Sequence, residues 1–392
     1  MDTTLQSVTQ ALSGFSVQNA TEASRKSLLE AARSLVAELE TPGEKLARLG
    51  WFEIHRPTAL KVGLDLGLFN KMAEDNASPK SVDQLAKMTG AEARLLGRLL
   101  RVMAADRMVE ETGPSQYKLN GFSTLLTQEI YQGLLLDCLE TNLLPTALLP
   151  DYLKKTGYKN PINKDETAWK VAMNTPLPFF EYIAQPGEGR RLRNFNNHMT
   201  AKNEIYTQRW FEVVPVHEAL RPSLGPDAPL IIDVGGSVGH DLIALHEAHP
   251  ELKGKLLLQD LPGPIAQANL PAGIEKVEYD FFTPQPVKEA SAYYFHQVLH
   301  DWPDDKCREI LKNQIPAMKR GHSKILIDDI VIPDRGAGWL ETGIDMIMLS
   351  THSAQERTQA DWRELLESVG LKMTQLWDCK GYPFKLIEAE LA

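Results

Sequence analysis

Residues Leu230–Leu242 read LIIDVGGSVGHDL, and the fold turns on how this stretch divides. LIIDV is a short apolar run containing one acid, the pattern of a strand buried on both faces. Gly235, Gly236 and Gly239 then interrupt the run, and DLIALHEAH beyond them carries apolar residues at helical spacing. A strand that hands over to a helix through glycines lets the backbone pass close to a ligand at the strand's carboxyl edge, so Gly235 and Gly236 are expected beside one. The order is not G-x-G-x-x-G, because position 234 is valine, and no lysine follows to make a phosphate loop. Pyrophosphate is therefore disfavoured as the ligand.

Outward from this unit the chain keeps alternating. KLLLQ leads to PGPIAQAN, IEKVEY follows, AYYFHQVL leads to CREILKNQI, and KILID precedes DWRELLESV. Short apolar strands separated by helices predict a mostly parallel, doubly wound α/β sheet. The last two segments, LKMTQLW and FKLIEAE, have no helix between them and predict an antiparallel edge hairpin. Acids close three successive strands: Asp233 in the first, Asp260 in LLLQDLP with Leu261 beside it, and Asp280 in VEYDFF. A carboxylate at the second strand end suits both hydroxyls of a ribose. Acids around the site with no basic clamp suit a nucleoside that itself carries positive charge, and S-adenosyl-L-methionine, with its sulfonium and ammonium, meets that description.

A second informative stretch is YYFHQVLHDWPDD, Tyr293 to Asp305. Its histidines, His296 and His300, share the spacing of the zinc motif H-E-x-x-H, but the glutamate of that motif is Gln297 here. The aromatic-rich AYYF and the bias Pro303 places on Trp302 argue for a strand over Tyr293–Leu299 followed by a helix opened by Pro303 and Asp304. On a strand, side chains four apart stand roughly 13 Å from each other, too far to share one ion, so no metal is expected. His300 is then placed at the carboxyl end of a buried strand, where sheets of this type hold ligands.

Up to about Leu125 the chain reads as helices closed by a hairpin. Two amphipathic helices break at Thr89-Gly90, and strands flank Gly113-Pro114, which is a winged-helix pattern. Arg94, Arg98 and Arg101 raise a DNA-binding reading, but Glu92, Asp106, Glu110 and Glu111 lie close by and the whole chain has a formal net charge of −10. Packing against a second subunit is the preferred role, and no nucleic acid is expected. Residues 126–220 are mainly helical and rich in aromatics, among them Trp169, Phe179, Phe180, Tyr182, Phe195, Tyr206, Trp210 and Phe211, and either line a pocket for a flat apolar molecule or form core. The domain division expected is 1–125 and 126–392. Three scattered cysteines, Cys138, Cys307 and Cys379, suggest neither a disulfide framework nor a zinc site. No apolar run approaches membrane-spanning length and the first residues lack a signal-peptide pattern, so a cytoplasmic protein with no membrane association is expected.

Together, LIIDVGGSVGHDL, LLLQDLP, YDFF, VLHDWPDDKCREIL, ILIDDIVIPD, ETGIDMIML and QERT resemble the class I S-adenosylmethionine-dependent O-methyltransferases of the plant caffeate and fungal secondary-metabolite type, from about Trp51 to the end. The resemblance implies a Rossmann-like sheet with an N-terminal winged-helix dimerisation domain, a homodimer, and methylation of a hydroxyl on a small aromatic or polyketide-like molecule. It implies that Gly236, Asp260, Asp280 and Phe281 contact the cofactor and that His300 is the general base, flanked and oriented by Asp329 and Glu356. It also implies that Met199 and Met348 line the acceptor pocket. Three positions depart from the family: Ser237 replaces a usual third glycine, Asp329 a glutamate of plant members, and His296 a lysine near the adenine. A histidine near its ordinary pKa of about 6.5 suits proton abstraction from a phenol or enol. Some fungal relatives of this family instead catalyse dehydration and pericyclic ring closure, with arginine in the segment R-D-F-P where this chain has His300-Asp301-Trp302-Pro303.

Overall fold

Residues 6, 7, 10, 20–206, 209–379 and 384–392 are described by the computed structural model, and they fall into two units, Met1–Thr124 and Leu125–Ala392. The first unit begins with α1 (Glu22–Leu39), capped by the Thr21 side chain, and α2 (Pro42–Ala47), opened by a reciprocal capping box between Thr41 and Glu44. After α3 (Arg56–Asp65) and α4 (Leu68–Ala73) come β1 (Lys80–Ser81), α5 (Val82–Thr89), α6 (Ala93–Ala105), β2 (Glu110–Gly113) and β3 (Gln116–Lys118). Ser81 and Gln84 box the start of α5, and Gly90 ends it in the left-handed region at φ 76°. On α6, Leu96, Leu100 and Met103 recur at helical spacing and are buried, which leaves Arg94, Arg98 and Arg101 exposed on the opposite face. The strands pair antiparallel in the order β1-β3-β2, completing a winged-helix arrangement.

The second unit opens with α7 (Glu129–Asp137), α8 (Leu143–Lys155), α9 (Ala168–Ala172), α10 (Phe179–Ile183) and α11 (Gly189–Ile205). α7 packs on α11, and Gly133 is what lets them meet, because a Cβ there would collide with Asn197. The sheet follows: β4 (Pro229–Val234), α12 (His240–Ala248), β5 (Lys255–Asp260), α13 (Pro262–Gln267), β6 (Ile274–Glu278), β7 (Ala292–His296), α14 (Asp304–Gln314), β8 (Lys324–Asp329), then β9 (Val331–Ile332), α15 (Trp339–His352), β10 (Arg357–Thr358), α16 (Gln359–Glu367), β11 (Leu371–Trp377) and β12 (Lys385–Leu391).

Seven strands form one sheet in the order β11-β12-β8-β7-β4-β5-β6. Its strands are parallel from β8 to β6, whereas β12 runs antiparallel to both β8 and β11, the terminal hairpin expected from the sequence. Alternation fills both faces: Tyr293 and Phe295 of β7 join Ile325 and Ile327 of β8 in one core, and Tyr294 joins Leu326 in the other. The strand order reverses beside β4, so the carboxyl ends of β4 and β7 open a crevice of the kind in which doubly wound sheets bind ligands.

One strand is shorter than the sequence reading. The strand expected over Tyr293–Leu299 stops at His296. Gln297 takes a left-handed conformation at φ 51°, donates its amide to Asp328 O at 3.1 Å, and a 3-10 turn follows over Leu299–Asp301. β4 pairs with β7 only as far as Asp233 opposite Tyr294, so β7 loses a neighbour there and turns off the sheet.

Candidate active site

The β4 loop is shaped by one buried acid. Asp233 is 1% exposed, and neither of its carboxylate oxygens has a hydrogen-bond partner among the described residues. Burial, with the charges of Asp241 and Asp260 added, holds its carboxyl well above the usual range. The amides of Gly235 and Gly236 both donate to Gln259 O, at 2.8 and 3.3 Å, folding the loop over the end of β5. Gly235 sits at φ 76°, and a Cβ on Gly236 would strike the Asp233 carboxylate, so neither position tolerates a side chain. Ser237, where the family usually has glycine, also lies in the left-handed region at φ 56°. Its amide donates to Asp260 Oδ2 at 2.8 Å, while Leu261 N donates to Oδ1 at 2.7 Å, so Asp260 is aimed by backbone and each oxygen keeps a lone pair. Burial raises the Asp260 carboxyl. Leu261 is exposed beside it.

Asp280 lies just past β6, also exposed, and accepts from Phe282 N at 2.9 Å. Phe281 stands edge-on to Phe282 and Trp302, at 5.0 and 6.0 Å between centroids. A buried carboxylate without a partner, two further acids that raise its pKa, and a loop that admits close backbone approach fit a cationic nucleoside better than an anionic one.

His296, at the end of β7, turns its Nδ1 to the Asp241 carboxylate in the first turn of α12. Burial works to lower its pKa, but Asp241 and Asp328 outweigh burial and raise it. Its Nε2 is buried without a hydrogen-bond partner among the described residues, and Arg209 stands 3.7 Å from the other Asp241 oxygen. The sequence reading missed Asp241, although an acid two residues past Gly239, in the first turn of the helix, was a signal available in it.

His300 sits in the 3-10 turn and is 8% exposed. Its Nδ1 is 2.7 Å from Glu356 Oε1 and 3.7 Å from Asp329 Oδ1, and its Nε2 is 3.5 Å from Asp301 Oδ1. Nδ1 is thus committed to Glu356, Asp329 stays beyond hydrogen-bond reach as its shorter side chain dictates, and Nε2 is left for another partner. Arg357, fully buried, fixes the turn by donating to Leu299 O at 3.1 Å, Trp302 O at 3.0 Å and Asp304 Oδ1 at 2.8 Å. The QERT motif contains this residue, and the sequence reading gave it no role.

The charge state of His300 corrects an expectation. Burial alone would lower its pKa, but Glu356, Asp329 and Asp301 outweigh burial and push it to about 10, far from the ordinary 6.5. One imidazolium cannot neutralise two carboxylates, so burial and the Glu356 charge drive Asp329 up to about 7. His300, Asp329 and Glu356 place three donor atoms within 4.8 Å of one another, but the short Nδ1–Oε1 hydrogen bond occupies the atoms a metal ion would need.

The three positions expected at the acceptor are distributed differently. Met199 is half-buried on α11 and Met348 buried on α15. Trp210 is 2% exposed and packs with Phe211, Leu230 and Tyr294 in the sheet core, a correction to its reading as a pocket residue. Trp169, Phe179, Tyr182 and Phe195 pack on one another, and Phe179 and Phe180 both meet the His352 ring at 5.3 Å. His352 Nε2 in turn lies 4.0 Å from Asp301, so this aromatic group borders the His300 turn.

Sequence profiles described as an O-methyltransferase domain and an O-methyltransferase dimerisation domain match residues 158–372 and 51–129. The chain belongs to the O-methyltransferase family. Demethylsterigmatocystin 6-O-methyltransferase of Aspergillus parasiticus is 36% identical to it over 315 residues, 80% of either chain. Among solved structures, one described as a pericyclic reaction enzyme superposes with a TM-score of 0.88 at 33% identity, covering 100% of both chains. A complex of LepI with S-adenosylmethionine matches at 0.87 and 33%, covering 100% of this chain and 98% of that one. Within the family, then, likeness extends to a named methyltransferase and to an enzyme of ring chemistry. No described helix is long and apolar enough to cross a membrane.

Proposed function

We propose that this family member transfers the methyl group of S-adenosyl-L-methionine to a hydroxyl of a small aromatic or polyketide-like molecule, with His300 taking the proton. The observation that carries this reading is the division of labour on the imidazole, with Nδ1 held by Glu356 at 2.7 Å and Nε2, 3.5 Å from Asp301, making no hydrogen bond among the described residues. Glu356 holds the ring, Glu356 and Asp329 together stabilise its cation, Arg357 holds the turn, and a base near pKa 10 matches a phenol near 10. When bound, the cofactor supplies an electrophilic methyl on a sulfonium.

On the cofactor side, Asp260 would hold the ribose, the Gly235–Gly236 backbone would admit close approach, Asp233 would offset positive charge, Asp280 and Phe281 would border the base, and His296 would stand beside them through Asp241. Met199 and Met348 would bound the acceptor, and residues 126–220 would supply its pocket to a sheet domain running to the end of the chain. Asp260→Ala is expected to weaken S-adenosylhomocysteine binding by about 1.5–3 kcal/mol, the worth of a hydrogen bond to a charged group. Unchanged affinity by calorimetry would remove Asp260 from the ribose.

A homodimer assembled through the first unit, acting in the cytoplasm, belongs to the same proposal. Supporting it are the dimerisation-domain match and the exposed apolar residues Val36, Leu39, Leu46, Trp51 and Ile54, of which Trp51 is 80% exposed. Light scattering at micromolar concentration is expected to give twice the chain mass, and a monomer would contradict it.

A second reading, ring formation with the cofactor bound but unspent, is favoured by the full-length likeness to a pericyclic reaction enzyme. S-adenosylhomocysteine appearing mole for mole with acceptor consumed supports transfer. Acceptor consumed with none formed supports the second reading.

A further inference from the structure

Lys202 lies on α11, one turn beyond Met199, and the functions assigned so far leave it unused. It is partly buried, and its ammonium meets Gln297 Oε1, the residue in left-handed conformation between His296 and His300. A non-glycine residue in that region is strained by about 1–3 kcal/mol, and such strain gathers at functional sites. Lys202 makes no ion pair with a carboxylate among the described residues, yet feels Asp241 on the cofactor side and Asp301 and Asp329, both beside His300. A neutral amide uses one of its three donors, so two remain for a ligand. Burial lowers its pKa, and the charges of Asp241, Asp301, Asp329 and Asp328 oppose that lowering.

We infer that Lys202 binds a second oxygen of the acceptor, conjugated with and adjacent to the hydroxyl that His300 deprotonates, so that the pocket selects catechol-, β-hydroxyenone- or hydroxyquinone-like molecules over simple phenols. This inference rests on the transfer reading above and names its substrate class. The acceptor's proton passes to His300 Nε2, and the negative charge left behind is shared by the two oxygens, one facing the imidazolium and the other the ammonium. A single buried cation would leave half of that charge unmatched. The cofactor's own carboxylate offers the same chemistry to Lys202, and the test separates the two sources.

4-Nitrocatechol and 4-nitrophenol both yield coloured anions, and only the first has a vicinal oxygen. Each is titrated into wild type, Lys202→Met and Lys202→Arg with S-adenosylhomocysteine saturating, and the visible spectrum reports how much bound probe is ionised. Lys202→Met is expected to weaken 4-nitrocatechol by about 10- to 100-fold, the worth of one charged hydrogen bond, and to lower its bound anion fraction. 4-Nitrophenol should lose much less, Lys202→Arg should keep the anion signal, and S-adenosylhomocysteine affinity should stay as in wild type. Equal losses for both probes, an intact anion signal in Lys202→Met, or failure of wild type to bind either probe would overturn the inference. Weakened S-adenosylhomocysteine binding would overturn it too, assigning the lysine to the cofactor's carboxylate. Failure of the transfer reading looks different: the probe pattern holds, but S-adenosylmethionine yields no methylated 4-nitrocatechol.

Discussion

His300→Ala is expected to lower kcat for methyl transfer to a phenol by about 10²–10⁴-fold, the usual worth of a positioned general base. Affinity for S-adenosylhomocysteine should change little, since no hydrogen bond ties the imidazole to the glycine loop or to Asp260. The loss should shrink for more acidic acceptors, which reach the anion unaided. The substitution also leaves the buried carboxylates Glu356 and Asp329 without their cation, and removing one partner of a buried pair typically costs about 3–5 kcal/mol. His300→Gln, which keeps a donor near Glu356, should lose the rate with less loss of stability. Activity within threefold of wild type in either folded variant would remove His300 from the chemistry.

The second large effect is on pH. Only neutral imidazole accepts a proton, and with the His300 pKa at about 10 that form is about one part in a thousand at pH 7. For a weakly acidic phenol, kcat/KM should therefore climb about tenfold per pH unit from 7 to 9 and level off near 10. Glu356→Gln keeps a hydrogen-bond acceptor but removes a charge, so its plateau should begin at lower pH. A wild-type profile already flat above about pH 6.5 would mean an unperturbed histidine. Stability should follow the same groups. The raised His300 pKa stabilises the fold fully below about pH 6.5, and this contribution is lost as pH rises through about 10. Asp329, raised to about 7, contributes below the ordinary carboxylate range and loses its share as pH rises through about 7. Thermal unfolding followed from pH 6 to 10 should show the melting temperature falling, and more steeply in wild type than in His300→Gln.

Local pattern made much of the fold legible. LIIDVGG carries both its strand and the turn that ends it, Thr89-Gly90 marks a real helix end, and the two terminal strands lacked a helix between them because they pair as a hairpin. The end of β7 was not legible, because it is set by where β4 stops pairing and is executed by Gln297, a residue that carries no turn signal. Trp210 could not be told from a pocket residue, since an aromatic at helical spacing looks alike in core and cleft. The partnerships that shape the site join residues far apart in the chain: His296 with Asp241, Lys202 with Gln297, Arg357 with the His300 turn. The pKa of His300 depends on carboxylates at 301, 329 and 356 converging on one ring, and only three-dimensional proximity shows their sum.

The most direct measurement is the mass of the product formed from its acceptor and methyl-labelled S-adenosylmethionine by wild type and His300→Ala side by side. Transfer with His300 as base predicts a product heavier by one labelled methylene, an equal amount of S-adenosylhomocysteine, and both falling together in the variant. A product isomeric with the acceptor, or lighter by water, with the cofactor intact, would contradict it.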